Sequence, residues 1–262
     1  MLFVVTKKPT NLFQQELVSI ITPSFNAEVF IEETVASVIQ QTHQNWEMLI
    51  VDDASTDQTL EVLKKISKKE PRVKVQSLST NAGAAVARNK AIDVAKGKYL
   101  AFLDADDIWF PFHLEQSIQT CKSKNVPFVF ASYQRSNEKL KIVYPDFIVP
   151  KKVSYTDILK TNSISCLTAF IDVSQLGKEK MPNIKKRQDM GLWLIYLKKI
   201  PYAYGIQKCH AIYRIRENSL SRNKKGLISY QWEFYREVEK LSIFQSIYYM
   251  LCWMYYGYKK YK

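Results

Sequence analysis

Two groups of aspartates are the first places in this chain where residue type and spacing could do chemistry. Asp52 and Asp53 follow the apolar run Met48 to Val51, and Asp104, Asp106 and Asp107 follow Tyr99 to Leu103. Short apolar, β-branched runs of this length read as buried strands, so both groups fall at strand carboxyl ends, on one rim of a sheet. Carboxylates crowded there repel one another unless something cationic is bound among them. A hard divalent ion held by one or two carboxylates and by substrate phosphates resolves that repulsion, and Mg2+ or Mn2+ prefers such oxygen ligands. One Asp-Asp pair alone reads more readily as turn chemistry. Two groups on one rim read as a site.

The elements that must position them repeat one unit over the first 130 residues: a short apolar run, a polar turn, then an amphipathic segment. Leu17 to Thr22 is a strand closed by Pro23, and Ile31 to Gln41 places Ile31, Val35, Val38 and Ile39 on one helical face. Trp46 to Val51 is the second strand, and Asp57 opens a helix carrying Leu60, Leu63 and Ile66. Val73 to Leu78, the helix Ala84 to Ala95 and the strand Tyr99 to Leu103 continue the alternation. Such alternation implies a parallel sheet with helices on both faces and ligands at the strand carboxyl ends. Beyond Pro111 the pattern loosens. Phe128 to Tyr133 and Leu167 to Asp172 read as strands, and Tyr155 to Lys160 and Gln188 to Lys198 as helices, the latter with Leu192, Ile195 and Tyr196 inward. A boundary near Lys224 precedes a segment that reads as wholly helical.

Composition narrows the chemistry further. The 262 residues include only seven glycines, the closest pairs fourteen apart (Gly83 and Gly97, for instance), which excludes both G-x-G-x-x-G and G-x-x-x-x-G-K-[ST]. His43, His113 and His210 are too scattered for H-E-x-x-H, and Cys121, Cys166, Cys209 and Cys252 form no C-x-x-C pair, which suits a reducing compartment. Leu2 to Val5 is too short for a signal-peptide core, so secretion is not expected. Thirty-eight Lys+Arg against 25 Asp+Glu gives +13, an attraction to phosphate-rich partners such as nucleic acid, an anionic bilayer or a diphosphate substrate.

Four stretches carry a resemblance. Leu17 to Asn26 (LVSIITPSFN), Val51 to Asp57 (VDDASTD), Asn81 to Asn89 (NAGAAVARN) and Phe102 to Asp107 (FLDADD) resemble, in order and spacing, the successive motifs of family 2 glycosyltransferases. The resemblance covers roughly residues 17–110. It implies an α/β, GT-A (Rossmann-like), mostly parallel sheet flanked by helices, with a helical C-terminal extension, and an enzyme that uses a nucleotide-diphosphate sugar and inverts the anomeric centre. A GT-A catalytic domain over residues 1–223 would divide into a nucleotide-sugar half (17–110) and an acceptor half (111–223), leaving 224–262 as a basic, aromatic segment that associates with a membrane or docks.

The same resemblance implies roles. Pro23, Phe25, Asn26, Asp52, Asp53, Gly83, Arg88 and Asp104 would bind the nucleotide, with Phe25 against the base. Asp53, or its neighbour Asp52, would accept the imide N–H of uracil or thymine. Arg88 would approach the nucleotide or diphosphate. Asp104 and Asp106 would form the D-x-D element that holds Mn2+ or Mg2+, the ion offsetting charge on the departing diphosphate. Asp107 reads as a helix N-cap. In Arg187 to Trp193 (RQDMGLW), Gln188 stands where the family often has glutamate, and Asp189 would be the general base. Arg187, Trp193, Arg214 and Arg216 would lie on the diphosphate or acceptor side, Arg216 where relatives often place histidine.

Residues 221–262 hold eight basic side chains and three acidic ones, a net of 8 − 3 = +5, with no charge between Lys240 and Lys259. Tyr and Trp beside lysines favour a helix in the headgroup region of an anionic membrane; a helix docked on the catalytic domain or on a second subunit of a homodimer is the alternative. The expected enzyme therefore moves a sugar from a UDP-sugar to a lipid-diphosphate-linked saccharide in bacterial polysaccharide assembly. It would be cytoplasmic and peripheral on the inner face of the membrane. A nucleotidyltransferase would want a glycine-rich basic loop after the first strand, which Pro23 to Asn26 does not supply. A nucleic-acid-binding protein would want basic and aromatic groups where the aspartates stand.

Overall fold

The structure, a computed structural model, describes residues 16–216 and 226–260. The run Leu2 to Val5, the residues Glu217 to Ser221 and the boundary near Lys224 lie outside the described residues. The first half alternates strand and helix as the sequence implies: β1 (Val18–Ser24), α1 (Ile31–Ile39), β2 (Trp46–Asp52), α2 (Thr59–Lys69), β3 (Val73–Ser77), α3 (Ala84–Val94) and β4 (Tyr99–Phe102). There follow β5 (Ile108–Trp109), α4 (His113–Lys124), β6 (Phe128–Ser136), β7 (Ile142–Phe147), β8 (Lys152–Val153), α5 (Tyr155–Lys160), β9 (Phe170–Asp172), α6 (Val173–Leu176), α7 (Gln188–Leu197) and β10 (Ala203–Arg214). The tail is α8 (Leu227–Glu233), a π-helical turn Phe234–Val238, and α9 (Ile243–Lys260).

One 10-stranded sheet organises these elements, in the order β3-β2-β1-β4-β9-β6-β10-β5, with β7 on β6 and β8 on β10. The β3-β2-β1-β4 half is parallel throughout. In the other half β6 and β10 are parallel, whereas β9, β5, β7 and β8 pair antiparallel, so the sheet is mixed there. Successive side chains alternate between two cores. Ile21, Leu49, Val51, Leu100 and Phe102 face α3, α5 and α7, while Val18, Ile20, Met48, Ile50 and Ala101 face α1, α2 and α4. A sheet covered on both faces needs continuous apolar strands, and this is why the first strands read as unbroken runs.

Several local expectations are corrected. Pro23 lies inside β1 rather than closing it. The Ile21 carbonyl accepts from Leu103 N–H, so odd positions of β1 face β4, and the β4 pairing ends at Ile21–Phe102. No ladder bond is therefore lost where proline has no N–H. Ile39 is 39% exposed and does not join the buried face of α1. The strand expected from Leu167 begins only at Phe170, after a 3-10 turn at Cys166–Thr168. The long strand β10, the most extensive new element, is interrupted by register shifts between Ile206 and Cys209 and between Cys209 and Ala211, which break its period of two.

Candidate active site

The site begins where β1 and β2 end side by side, Ser24 opposite Asp52. Asp52 is fully buried and caps its own turn: its oxygens accept Ser55 N–H at 3.1 Å and Ser55 Oγ–H at 2.5 Å. Asn26, at φ +47°, accepts Thr56 N–H on Oδ1 at 2.9 Å and donates its own N–H to Ser55 Oγ at 3.0 Å, so its side chain holds the 54–56 turn against β1. Phe25 between them is 45% exposed and offers a free ring face on this rim.

Asp53 works in the other direction. Its Oδ1 accepts Ala82 N–H at 2.7 Å and its Oδ2 accepts Gly83 N–H at 2.8 Å, while Asn81 Nδ2 donates to its carbonyl at 3.2 Å. Charge-assisted bonds of this length are the strong kind. They pin the 81–83 loop to the end of β2 and place Gly83 as the cap of α3. At φ +91° and ψ 158° Gly83 occupies a conformation that a residue with a Cβ strains to reach.

α3 delivers Arg88 to the second acidic group. The guanidinium is 8% exposed and its Nη2 donates to Asp104 Oδ1 at 2.5 Å. Burial opposes its charge, but Asp104 and, more weakly, Asp189 hold it above its ordinary value. Cys166 is pushed well up by burial, against the pull of Arg88 and with the push of Asp104, Asp189 and Asp107. Asp104, Arg88 and Asp189 thus all act electrostatically on Cys166.

Asp106 and Asp107 face β10. Asp106 accepts from Arg216 Nη1 at 3.1 Å; burial and the neighbouring Asp104 charge still raise its carboxyl above the usual range, outweighing Arg216. Asp107 is buried, and its carboxyl is held well above the usual range by burial and then by Asp106 and Asp104. It does not cap a helix. Its Oδ1 accepts Arg214 N–H at 2.8 Å, clipping the acidic turn to β10, and α4 begins after Phe112 with no side-chain cap. Arg214 Nη2 donates to Glu33 at 2.6 Å, and the guanidiniums of Arg214 and Arg216 lie 4.7 and 4.8 Å from the centre of the Phe30 ring. Arg214 therefore ties β10 to α1, and Arg216 reaches Asp106 of the D-x-D as Arg88 reaches Asp104.

Asp189 sits in the first turn of α7, preceded by Arg187 at φ +69° in the capping position. Asn162 Nδ2 donates to Asp189 Oδ2 at 3.3 Å. A Cβ on Gly191 would collide with the Pro182 ring, so glycine lets the 181–182 segment pack directly on α7. That segment is gripped from α3: Asn89 Nδ2 donates to Met181 O and Met181 N–H to Asn89 Oδ1, both at 2.8 Å. Trp193 differs from expectation. Its ring is fully buried, edge-on to Phe102 at 5.4 Å, and forms part of the core behind the site rather than its acceptor wall.

Phe30, Glu33, Asn89 and Asn162 were not singled out by spacing. Asn89 alone lay within a quoted motif, next to Arg88, and the others depend on contacts between segments far apart in the chain. Among the described residues no three or more His, Cys, Asp or Glu side chains form a metal-holding group. The donor set that does exist, Asp104 and Asp106 on one turn with their like charges crowded, fits a hard cation that takes its remaining oxygens from a diphosphate.

Known proteins resemble this chain in sequence and fold. The model of glycosyl transferase family 2 matches residues 19–170. A putative teichuronic acid biosynthesis glycosyltransferase, TuaG of Bacillus subtilis (strain 168), is 44% identical over 230 residues, spanning 88% of this chain and 91% of that protein. The Escherichia coli protein WfgD, named a UDP-Glc:alpha-D-GlcNAc-diphosphoundecaprenol beta-1,3-glucosyltransferase, is 36% identical over 247 residues, 93% of this chain and 94% of its own. S. aureus TarS 1–349, crystallised with UDP-GlcNAc, shares the fold at a TM-score of 0.73 and 20% identity, covering 90% of this chain and 71% of that one. The chain belongs to glycosyl transferase family 2 and is a glycosyltransferase of GT-A fold.

Proposed function

We propose that this enzyme moves one sugar, with inversion, from a UDP-sugar to a lipid-diphosphate-linked saccharide in bacterial surface-polysaccharide assembly, at the inner face of the cytoplasmic membrane. The observation that carries the reading is the Arg88–Asp104 ion pair, its arginine on the helix that follows the loop pinned by Asp53, with Asp189 within electrostatic reach of the same guanidinium. The names of its relatives support the donor and acceptor classes: that of WfgD specifies UDP-glucose and a diphosphoundecaprenol-linked sugar.

Phe25 presents its ring to the base, and Asp53 keeps a second lone pair on each oxygen for the uracil imide N–H. Arg88 and Arg216 bring cationic donors to the diphosphate side. Asp104 and Asp106 would hold Mn2+ or Mg2+, which supplies Lewis-acid stabilisation of the leaving diphosphate when bound. Asp189, oriented by Asn162, takes the proton of the acceptor hydroxyl as that oxygen bonds to the anomeric carbon. The bond from that carbon to the diphosphate oxygen breaks, and its electron pair leaves with UDP.

A panel of UDP-sugars with a lipid-diphosphate-linked N-acetylglucosamine acceptor tests this reading. Release of UDP, lost on chelation and restored by Mn2+, is the expected result, and Asp106→Asn should lower turnover by orders of magnitude while the fold persists. Pyrophosphate release from UTP and a sugar phosphate, or wild-type turnover in Asp106→Asn, would overturn it.

A further inference from the structure

α9 is apolar nearly all round, yet only one of its sides is covered. Ser246 and Met250 are buried, and Tyr249 and Trp253 pack on the core shared by α5 and α7. The opposite side carries Phe244, Ile247, Tyr248, Leu251, Tyr255 and Tyr258 at helical spacings of three and four, with Phe244 85%, Leu251 58% and Tyr258 65% exposed. No charge interrupts residues 241–258. A contiguous apolar face of this length on a folded protein marks an interaction surface. Among the described residues no helix is long and apolar enough to cross a membrane, and the covered side of α9 is committed to the protein core.

We infer that the exposed side of α9 is the surface by which the enzyme docks on an anionic lipid bilayer. The charges around the helix decide the occupant. Lys160, ending α5, acts electrostatically on the Tyr248 hydroxyl. Arg236 and Lys240 precede the helix, and the nearby Glu239 is already neutralised by Lys198 at 2.8 Å. A second copy set face to face on this surface would oppose like charges, whereas anionic headgroups complement them, and tyrosines beside cations suit the headgroup layer. Arg187, in the capping position of α7 two residues before Asp189, lies 5.4 Å from the centre of the Trp253 ring on the covered side of α9, so the docked helix borders the acceptor side of the site. This placement rests on the proposed lipid-linked acceptor.

Sedimentation of the full chain with phosphatidylglycerol–phosphatidylcholine vesicles, and with phosphatidylcholine alone, tests the surface. Wild type should partition onto the anionic vesicles, and Phe244→Gln/Leu251→Gln/Tyr255→Gln should lower that partition by about 100-fold. Lys160→Gln/Lys240→Gln should lower it by roughly 30-fold on anionic vesicles and leave phosphatidylcholine binding unchanged. Hydrolysis of soluble UDP-sugar should persist in both variants, which shows that they fold. Equal wild-type binding to the two vesicle types would overturn the inference. So would a wild-type protein that stays off vesicles but forms a dimer, by sedimentation velocity, that the triple variant abolishes. Vesicle binding as expected without any UDP release from a UDP-sugar would sink the proposed reaction and leave the docking surface standing.

Discussion

Asp53→Asn separates a residue that only touches ligand from one that also builds the site. The carboxylate is 3% exposed and accepts two backbone N–H groups, at 2.7 and 2.8 Å. Bonds to a charged acceptor contribute ~1.5–3 kcal/mol each, and neutral ones ~0.5–1.5. Asparagine keeps one acceptor oxygen and turns an NH2 toward the other N–H. One bond is therefore lost and the second weakened, for a total of about 3 kcal/mol; because Ala82 is exposed and water can reach its N–H, the lower part of the range, about 2 kcal/mol, applies if the amide turns its NH2 that way. At ~2–4 °C per kcal/mol for a chain of this size, the melting temperature without nucleotide should fall by roughly 4–12 °C. UDP affinity should fall with it, since the same loop caps the helix that carries Arg88. Thermal unfolding followed by circular dichroism, with and without UDP, reads both effects. An unchanged melting temperature together with lost UDP affinity would refute the pinning role and leave Asp53 as a ligand contact alone.

Gly83→Ala adds a Cβ that meets nothing within 4 Å, so its cost is the backbone strain at φ +91° alone, ~1–3 kcal/mol. Combined with Asp53→Asn the two losses should add to less than their sum in a double-mutant cycle of thermal melts, because both act on one loop. Asp189→Asn should lower transfer by ~10²–10⁴-fold while calorimetry finds UDP-sugar affinity near wild type; a collapse of donor binding would assign Asp189 to the donor pocket instead. Asn89→Ala removes both bonds to Met181 and should cost about 2 kcal/mol of stability, with turnover falling more than UDP affinity because the segment it grips supports α7; equal losses in both would argue against that route.

The first half of the sheet was legible because its physics is local. β1, β2 and β4 are covered on both faces and so read as largely apolar runs, the edge strand β3 alternates Val73 and Val75 with exposed Lys74 and Gln76, and each helix between them shows its own period. The carboxylates at the ends of β2 and β4 could be placed on one rim from that alternation alone. β10 could not. Gln207 and Lys208 fall within it and two register shifts break its alternation, so the strand that ends at Arg214, two residues before Arg216, has no period to read. α4 shows Leu114, Ile118 and Cys121 buried at helical spacing, but the aromatic run and Pro111 before it obscure where it starts. Trp193 shows the opposite failure: it lies four residues from Asp189, yet the helix turns it into the core.

Crowded carboxylates on a rim demand a counter-charge, and the fold meets that demand only in part. Arg88 is set against Asp104 at 2.5 Å and Arg216 against Asp106 at 3.1 Å, one guanidinium arriving from each half of the sheet. The third cation, Arg214, is turned away to Glu33 and gives the acidic turn mainly its backbone N–H. Asp106 and Asp107 consequently remain raised above the ordinary carboxyl range even with both arginines in place, and in each case burial and the neighbouring aspartates outweigh the arginine beside it. That three of them persist there, against two committed arginines, fits a rim whose charge is completed by a cation arriving with a phosphate-bearing substrate.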